Sequence, residues 1–396
     1  MNDGALPGPP GGAFPFSDAD LAALAAQQGT PLFAYRAAAA EDQARRLLAR
    51  LPPRVRLAYA VKANPHPVLL ARLAALGLGF DCASGGELER VAALQPTPDR
   101  LFYAGPGKRS AELVLALRLG ARVQAEGWED LERLDGLADG PLPVNLRVHP
   151  IQAGAEERRI LGGSGPSAFG VDEEDLPALL ERARGLAKVR IRGLHCFTAS
   201  NQRDADRLML THGAVMDLAR RLHEVHGLSM EQIDLGGGLG VPYADDEAPL
   251  DLVRFGANLA ALLAAHPWFE GELILEPGRF LAAPTGVYLS RVVRVKESRG
   301  QRFAILEGGV NHLLRPALTG QPFPVRAVGK GPGSTPYTLA GPLCTSLDRL
   351  GDVCLPQLAP GDLLAFGMAG AYGFTEAMTH FLSHPVPLEH WVEGRS

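Results

Sequence analysis

The sequence has few cysteines, no long apolar run and no excess of positive charge, and each of these shortages excludes a class of protein. The four cysteines among 396 residues, Cys82, Cys196, Cys344 and Cys354, indicate neither a disulfide framework nor a close-spaced zinc site, and we expect no metal ion. No apolar run approaches the roughly 18 residues of a membrane span. Basic residues number 39 against 44 acidic ones, giving a net charge of −5, which argues against nucleic acid as the main partner.

The N-terminal stretch "MNDGALPGPPGGAFPF" lacks the basic start and the apolar segment of a signal peptide. We interpret residues 1–29 as an N-terminal arm that is rich in proline and glycine at its start. Hydrophobic residues make up 46% of the chain, so one large domain and a smaller one can each bury a core. We therefore expect a soluble cytoplasmic protein with no membrane partner.

Residues 37–282 alternate between strand-like and helix-like segments. Eight segments have the length and apolar content of buried strands: "RLAYAV" (56–61), "GLGFDC" (77–82), "RLFYA" (100–104), "RVQAE" (122–126), "PVNLRVH" (143–149), "VRIRGLHCF" (189–197), "QIDLGGG" (232–238) and "ELILEP" (272–277). Between them, patterns such as "HPVLLARLAAL" repeat leucine and alanine at helical spacing. Eight strands with following helices over about 250 residues predict a (β/α)8 TIM barrel, in preference to a doubly wound open sheet.

The segments after Ala282 are short, β-rich and separated by glycine and proline. Examples are "TGVYLSRVVRVKES", "QRFAILEGG" and "DLLAFGMAG". This pattern of short β-rich segments predicts a second, all-β domain over residues 283–396, built as a sandwich or a barrel. The segment 30–36, "TPLFAYR", has the character of one more strand, and we predict that it joins this domain.

The unusual polar and glycine residues of the predicted barrel lie at the C-terminal ends of its strands, where TIM-barrel enzymes carry their chemistry. They are Lys62, Asp81, Arg147, Gly236, Gly237, Gly238, Glu276 and Arg279. Each has an ordinary alternative, since a lysine can extend to solvent, glycines can form a simple turn, and an arginine can lie at the surface. Cys344 is most simply a buried cysteine in a loop fixed by the preceding Gly-Pro, and Tyr372 is either a core residue or a phosphate ligand.

Together these residues supply the groups that pyridoxal phosphate requires. Lys62 offers an amine for a Schiff base, and Glu276 offers an acid for a protonated ring nitrogen. The three glycines present bare backbone N–H groups to a phosphate, and the planar guanidinium of Arg279 can bind the same group. The sequence therefore predicts a pyridoxal-phosphate enzyme with Lys62 as the Schiff-base lysine.

The motifs "YAVKAN", "GFDCASGGEL", "DLGGGLG", "LEPGRFL", "GPLCTSLD" and "GAYG" follow one another between residues 30 and 390. In this order the chain resembles the fold-type III pyridoxal-phosphate decarboxylases, which include diaminopimelate, ornithine and arginine decarboxylases. The resemblance implies an alanine racemase-like barrel over residues 37–282 with a second all-β C-terminal domain. It also implies a homodimer with shared active sites.

The resemblance assigns roles to further residues. Asp81 matches the acid beside the lysine, and Arg147 matches an arginine that helps to order the site. Ser200 joins Gly236, Gly237 and Gly238 in the phosphate-binding loops, with Arg279 and Tyr372 as further phosphate contacts. Cys344 matches the cysteine that protonates the carbanion and that the second subunit delivers.

Four positions depart from the family pattern. Phe197 stands where the family stacks a histidine on the pyridine ring, and a phenyl ring can still stack there. Thr345 stands where the family has a glutamate or an aspartate that pairs with the distal ammonium of the substrate. Burying that ammonium without a charged partner would cost much free energy. Arg315 matches an arginine that diaminopimelate decarboxylases use on the distal carboxylate, but Thr319 replaces a tyrosine four residues later. Ala168 replaces the lysine of an "S-K-F-G" motif.

These departures predict a decarboxylase, or carboxy-lyase, for an amino acid whose far end is not a free ammonium. Acidic, amide-linked and carrier-protein-bound substrates fit this description, and the tail "FLSHPVPLE" resembles a branch of the family in specialised metabolism. We expect the substrate to contact Arg279, Arg315, Thr319, Thr345 and Tyr372. The alternatives are an ordinary diaminopimelate decarboxylase, a racemase, and a non-catalytic regulatory homologue, which the presence of Lys62 and Cys344 opposes.

Overall fold

The computed structural model describes residues 12–150, 166–197, 199–244 and 246–392. In chain order its strands are β1 (Leu32–Tyr35), β2 (Val55–Ala60), β3 (Gly79–Cys82), β4 (Leu101–Tyr103), β5 (Arg122–Ala125), β6 (Leu142–His149), β7 (Val171–Asp172), β8 (Val189–His195), β9 (Gln232–Asp234), β10 (Glu272–Leu275), β11 (Gly286–Ser298), β12 (Gln301–Leu306), β13 (Val325–Ala327), β14 (Thr335–Ala340), β15 (Arg349–Leu355), β16 (Leu363–Phe366) and β17 (Leu388–Trp391).

The α-helices follow the same numbering scheme. They are α1 (Asp18–Gln28), α2 (Ala37–Leu48), α3 (Pro67–Ala75), α4 (Gly85–Ala92), α5 (Ser110–Arg118), α6 (Trp128–Leu137), α7 (Leu176–Ala183), α8 (Ala205–His226), α9 (Leu252–Ala265), α10 (Arg279–Ala282) and α11 (Arg315–Thr319). Among the described residues, no helix combines the length and the apolar character that crossing a membrane requires.

The chain divides into two compact units. The barrel unit comprises Ala44–Val241 and Pro249–Gly278, and the β unit comprises the residues up to Gln43, Pro242–Ala248 and the residues from Arg279 onward. The domain limits predicted at residues 29, 36 and 282 stay predictions.

The barrel unit contains eight parallel strands in the order β5-β4-β3-β2-β10-β9-β8-β6, and β5 pairs with β6 to close the sheet. The short strand β7 adds to β6 outside this ring. Each of the eight overlaps one predicted segment, because strands covered on both faces read as near-continuous apolar runs: all four residues of β3 are buried. The prediction of a TIM barrel with a second, mostly β domain is confirmed.

Strand register brings polar side chains together at the C-terminal ends of the barrel strands. Arg147 pairs with His195 across β6 and β8, and His195 pairs with Asp234 across β8 and β9. On the other side of the ring, Ala60 of β2 pairs with Asp81 of β3. The closed barrel therefore gathers residues from separate strands into one rim.

The β unit is built on a sheet with the order β13-β16-β11-β12-β14-β15. Strand β1 joins it by antiparallel pairing with β11, and β17 pairs parallel to the other edge of β1. Part of the hydrophobic core lies between this sheet and α1, and it consists of Phe16, Leu21, Ala25, Leu32, Ala34, Val287, Leu289, Leu363 and Ala365.

Helix α1 lies in the segment that the sequence analysis assigns to an N-terminal arm. Ser17 and Asp20 form a capping box that starts the helix. Leu21 and Ala25, one turn apart, are its buried residues. From Asp18 to Gln28 the segment is therefore a packed helix, and the first eleven residues of the predicted arm lie outside the described residues.

Candidate active site

Lys62 lies in a short 3-10 turn, Val61–Ala63, directly after β2. Its Nζ donates a hydrogen bond to Oδ2 of Asp81 at 2.9 Å. The Asp81 side chain is 1% exposed, whereas that of Lys62 is 41% exposed. Lys62 therefore does more than extend to solvent, because a buried carboxylate holds its amine at the rim of the barrel.

Glu276 and Asp234 are buried side by side, with carboxyl oxygens within 4.8 Å of each other. Burial and the neighbouring Asp234 raise the pKa of Glu276 well above its usual value, and burial raises the pKa of Asp234 to about 6. Gln124 Nε2 and the N–H of Gly236 donate to the two Asp234 oxygens at 2.8 and 2.9 Å. By contrast, the buried Glu276 Oε1 has no hydrogen-bond partner among the residues that the structure describes.

His195 is the third buried polar group of this rim, with Nε2 at 3.7 Å from Glu276 Oε2. Burial, with smaller contributions from Arg147 and Lys62, holds the pKa of His195 well below its usual value, so the ring is neutral. His195, Asp234 and Glu276 are also close enough to one another to surround a small cation. The expectation that the protein binds no metal therefore stays a prediction.

The glycines Gly236, Gly237 and Gly238 follow β9 and pack closely against neighbouring backbone. Gly236 and Gly238 have φ values of 70° and 94°, which favour glycine. A Cβ at Gly237 would lie 2.7 Å from the Glu276 carbonyl oxygen and 3.2 Å from Phe197 Cε2. The ring of Phe197 therefore lies against the glycine loop. Ser200 lies on the segment beside it, where the N–H of Gln202 donates to the Gly238 carbonyl at 2.7 Å.

Arg147 belongs to a buried charge network that sequence reasoning missed. Its Nη1 lies 3.0 Å from Glu126 Oε1, and its guanidinium lies over the Phe169 ring at 4.6 Å. Glu126 also accepts the N–H groups of Gly105 and Gly170 at 2.8 and 3.0 Å. Glu126 ends the predicted strand "RVQAE", and an acid at a strand end was the signal that could have found it.

In the β unit, the guanidinium groups of Arg279 and Arg315 both lie over the Tyr372 ring. Their guanidinium carbons are 4.9 and 4.4 Å from the Tyr372 ring centroid. Arg279 Nη1 donates to Tyr243 Oη at 2.9 Å and to Gln321 Oε1 at 3.0 Å. Tyr372 has a φ of 53°, a left-handed conformation that is uncommon for a bulky residue. Tyr243 and Gln321 were not predicted from the sequence.

Arg315 also forms an ion pair, with Nε at 3.0 Å from Glu376 Oε2. Thr319, at the end of α11, donates through its hydroxyl to the Arg315 carbonyl at 3.0 Å and accepts from the N–H of Gln321 at 3.3 Å. Thr319 thus satisfies its polar atoms within its own turn.

Cys344 is exposed, contrary to the simplest expectation of a buried cysteine. The reason is the anchoring of its loop by Asp348, whose two oxygens accept the N–H groups of Val310 and Leu343 at 2.8 and 2.7 Å. Between these fixed points the loop projects outward, and Leu347 is 70% exposed.

A closed (β/α)8 barrel with a lysine, a buried acid and a glycine loop at its rim defines a class of pyridoxal-phosphate enzymes. Among the described residues no hydrogen-bond donor faces the buried Glu276 Oε1, which suits a ring nitrogen that carries a proton. The three consecutive glycines allow the tight loop after β9 that a phosphate site requires. Comparison with known proteins gives the family. Residues 38–283 match the model of the pyridoxal-dependent decarboxylase, pyridoxal-binding domain, and the chain belongs to this family.

Curated relatives cover nearly the whole chain. L-glutamyl-[BtrI acyl-carrier protein] decarboxylase of Niallia circulans is 32% identical over 94% of this chain and 90% of the relative. Diaminopimelate decarboxylase of Methanothermobacter thermautotrophicus is 35% identical over 95% and 90%. Among solved structures, diaminopimelate decarboxylase from Helicobacter pylori in complex with L-lysine is 27% identical, with a TM-score of 0.85 over 94% of each chain. The protein is a pyridoxal-phosphate-dependent amino-acid decarboxylase.

Proposed function

We propose that this decarboxylase acts on an amino acid whose distal end is neutral, linked through an amide or to a carrier protein. The observation that carries the proposal is the chemistry of the Cys344 loop. In residues 341–348, all of which the structure describes, the one carboxylate is that of Asp348, and it is 3% exposed and used to anchor the loop. The Thr345 hydroxyl accepts the N–H of Leu347 at 3.3 Å. The loop therefore offers no free anion to a substrate ammonium.

The barrel residues take the following roles in this proposal. Lys62 supplies the amine that links to the cofactor, and Asp81 holds that amine in place. Gly237 and Gly238 bind the phosphate through backbone N–H groups, and Gly236, whose N–H donates to Asp234, shapes the loop that presents them. Glu276 would face the ring nitrogen of the cofactor, and its carboxyl group retains a proton. When bound, pyridoxal phosphate accepts the electron pair that remains after the α-carboxylate leaves.

Proton return to the substrate is assigned to Cys344. The thiol is exposed on a loop whose base is fixed, so it can reach a ligand without the loop refolding. We propose that it acts in a homodimer in which each subunit delivers its Cys344 to the other, and the exposed Leu347 beside it suits burial at such an interface.

Two relatives support a conjugated substrate. The Niallia circulans relative is named for a glutamyl group on an acyl-carrier protein. A Staphylococcus aureus relative, 29% identical over 90% of this chain and 92% of the relative, is named 2-[(L-alanin-3-ylcarbamoyl)methyl]-2-hydroxybutanedioate decarboxylase. Both names describe an amino acid joined to a larger group.

Diaminopimelate decarboxylase is the second candidate. The presence of a buried guanidinium at Arg315 favours it, because this group can bind a distal carboxylate. The ion pair of Arg315 with Glu376 and the absence of an acid at position 345 oppose it.

Carbon dioxide release by the cofactor-loaded protein separates these candidates. The panel contains meso-diaminopimelate, lysine, ornithine, arginine, glutamate, and a glutamate or diaminopropionate conjugate joined through its distal end. We expect turnover of a conjugate and little turnover of the free diamino acids, with Lys62→Ala as the inactive control. Fast turnover of meso-diaminopimelate would overturn the proposal in favour of the second candidate.

A further inference from the structure

A cluster of three charged residues surrounds Tyr372 in the β unit. Arg279 and Arg315 both contact its ring, and Glu376 pairs with Arg315. The two arginines of this cluster are buried: Arg279 is 8% exposed and Arg315 is 5% exposed. The side chain of Glu376 is 26% exposed, so it reaches the cluster from its open side.

The cluster carries more positive than negative charge. Within the described part of the chain, Glu376 supplies the carboxylate for Arg315, whereas Arg279 donates to the neutral Tyr243 and Gln321. Two guanidinium groups thus share one carboxylate. Two buried like charges repel each other, and an anionic ligand relieves that repulsion. The cluster is therefore suited to binding anions. Arg279 is the residue that we predict to contact the cofactor phosphate, and Glu376 already occupies the Arg315 part of the cluster.

The contact between Arg315 and Glu376 is close but poorly aligned. Nε and Oε2 lie 3.0 Å apart, yet neither atom completes a hydrogen bond. A ligand carboxylate that approached the guanidinium in its plane would accept two parallel hydrogen bonds. Such a ligand would have to displace Glu376, which is partly exposed and can move toward solvent.

We propose that Glu376 is a specificity-determining residue, an internal counter-ion of Arg315 that competes with a free carboxylate at the far end of a substrate. The proposal rests on the proposed function, in which Arg315 faces that far end. With Glu376 in place, a substrate that ends in an amide or a thioester leaves the ion pair intact. A substrate that ends in a carboxylate must break it and leave Glu376 beside a second negative charge.

The test measures binding first, because binding does not depend on turnover. Glutarate and its neutral analogue glutaramide are titrated calorimetrically into the cofactor-loaded wild type and the Glu376→Gln variant. We expect glutarate to bind Glu376→Gln about tenfold more tightly than wild type, which corresponds to about 1.4 kcal/mol, and glutaramide to bind both alike. The matched control is Glu297→Gln, an exposed glutamate of the same unit that pairs with Arg302, which should leave both affinities unchanged.

The double variant Arg315→Gln/Glu376→Gln tests whether the gain in glutarate affinity depends on Arg315. The gain should disappear when the guanidinium is removed. An unchanged glutarate affinity in Glu376→Gln, or a gain that survives in the double variant, overturns the inference. Glu376→Ala, checked for folding by circular dichroism, repeats the comparison of glutarate with glutaramide without the side-chain amide that Glu376→Gln introduces. If glutarate binding responds as expected but no neutral-ended substrate releases carbon dioxide, the proposed function fails and the role of Glu376 in charge selection stands.

Discussion

Glu276 and Asp234 bring two buried carboxyl groups within 4.8 Å of each other at the ends of neighbouring barrel strands. Burial and mutual repulsion keep a proton on this pair, because two carboxylates at such a distance cannot both ionise without a large cost. The neighbouring His195 does not take that proton, since burial lowers its own pKa. The pair that contains Glu276, the residue that we assign to the cofactor's ring nitrogen, therefore retains a proton.

Replacing Asp234 by Asn should flatten the dependence of stability on pH. The pKa of Asp234 is raised from 3.8 to about 6 in the folded protein. Its contribution to stability is thus complete below about pH 4 and is lost as the pH rises toward about 6. Thermal unfolding of the cofactor-free protein between pH 4 and 7 should show a smaller decline in Asp234→Asn than in wild type. Asp217→Asn, an exposed carboxylate of α8, should keep the wild-type slope, and identical slopes for all three proteins would refute the assignment.

Replacing Lys62 separates a covalent role from a role as the charge partner of Asp81. Lys62→Ala should lower the rate of carbon dioxide release by about 10³-fold or more, because the nucleophilic amine is lost. Lys62→Arg keeps a positive charge beside Asp81 but offers no such amine, so it should be equally impaired. Both variants should also lose the visible absorbance of the linked cofactor. Retained absorbance and activity in Lys62→Arg would reduce Lys62 to an ion-pair residue.

Thr345→Glu should raise the activity on meso-diaminopimelate. A carboxylate in the Cys344 loop would give the distal ammonium a partner, and a charged hydrogen bond of about 1.5–3 kcal/mol corresponds to a gain in kcat/KM of about tenfold or more. Ser346→Glu adds the same charge one residue away on the exposed part of the loop and serves as the control. Unchanged or lower activity in Thr345→Glu, or an equal gain in Ser346→Glu, would count against the specificity role of position 345.

The proposed homodimer with shared active sites predicts complementation between two inactive variants. Lys62→Ala removes the proposed linking amine and Cys344→Ala removes the proposed proton donor, so neither variant should be active as a homodimer. Equal amounts of the two, allowed to exchange subunits, should form heterodimers with one intact site each and recover about one quarter of the wild-type activity. Sedimentation of the mixture gives the oligomeric state in the same experiment. No recovery from a mixture that has exchanged subunits would mean that each site is built within one subunit.

The barrel was predictable from sequence because its strands are short apolar runs separated by amphipathic helices. The ends of the strands were harder to predict than the strands themselves. The predicted strand "QIDLGGG" is longer than β9, which ends at Asp234, because Gly236 and Gly238 have positive φ values that a strand does not continue through. Lys62 and Glu276 stand out in sequence, as ionisable groups directly after apolar strands. The contact of Arg315 with Glu376 does not stand out, because it joins the start of α11 to a 3-10 turn that lies 61 residues further along the chain.

Helix α1 was missed because the proline and glycine residues before it suggest an extended arm, although its own sequence has a capping box and a buried face. Leu21 is fully buried in the core of the β unit. Leu21→Ala should therefore destabilise that unit by about 2–5 kcal/mol through lost burial and a residual cavity. Leu210→Ala makes the same change on helix α8 at a side chain that is 74% exposed, and its effect should stay within about 0.5 kcal/mol. Urea denaturation of both variants measures the difference, and equal midpoints would mean that α1 is an accessory arm rather than part of the core.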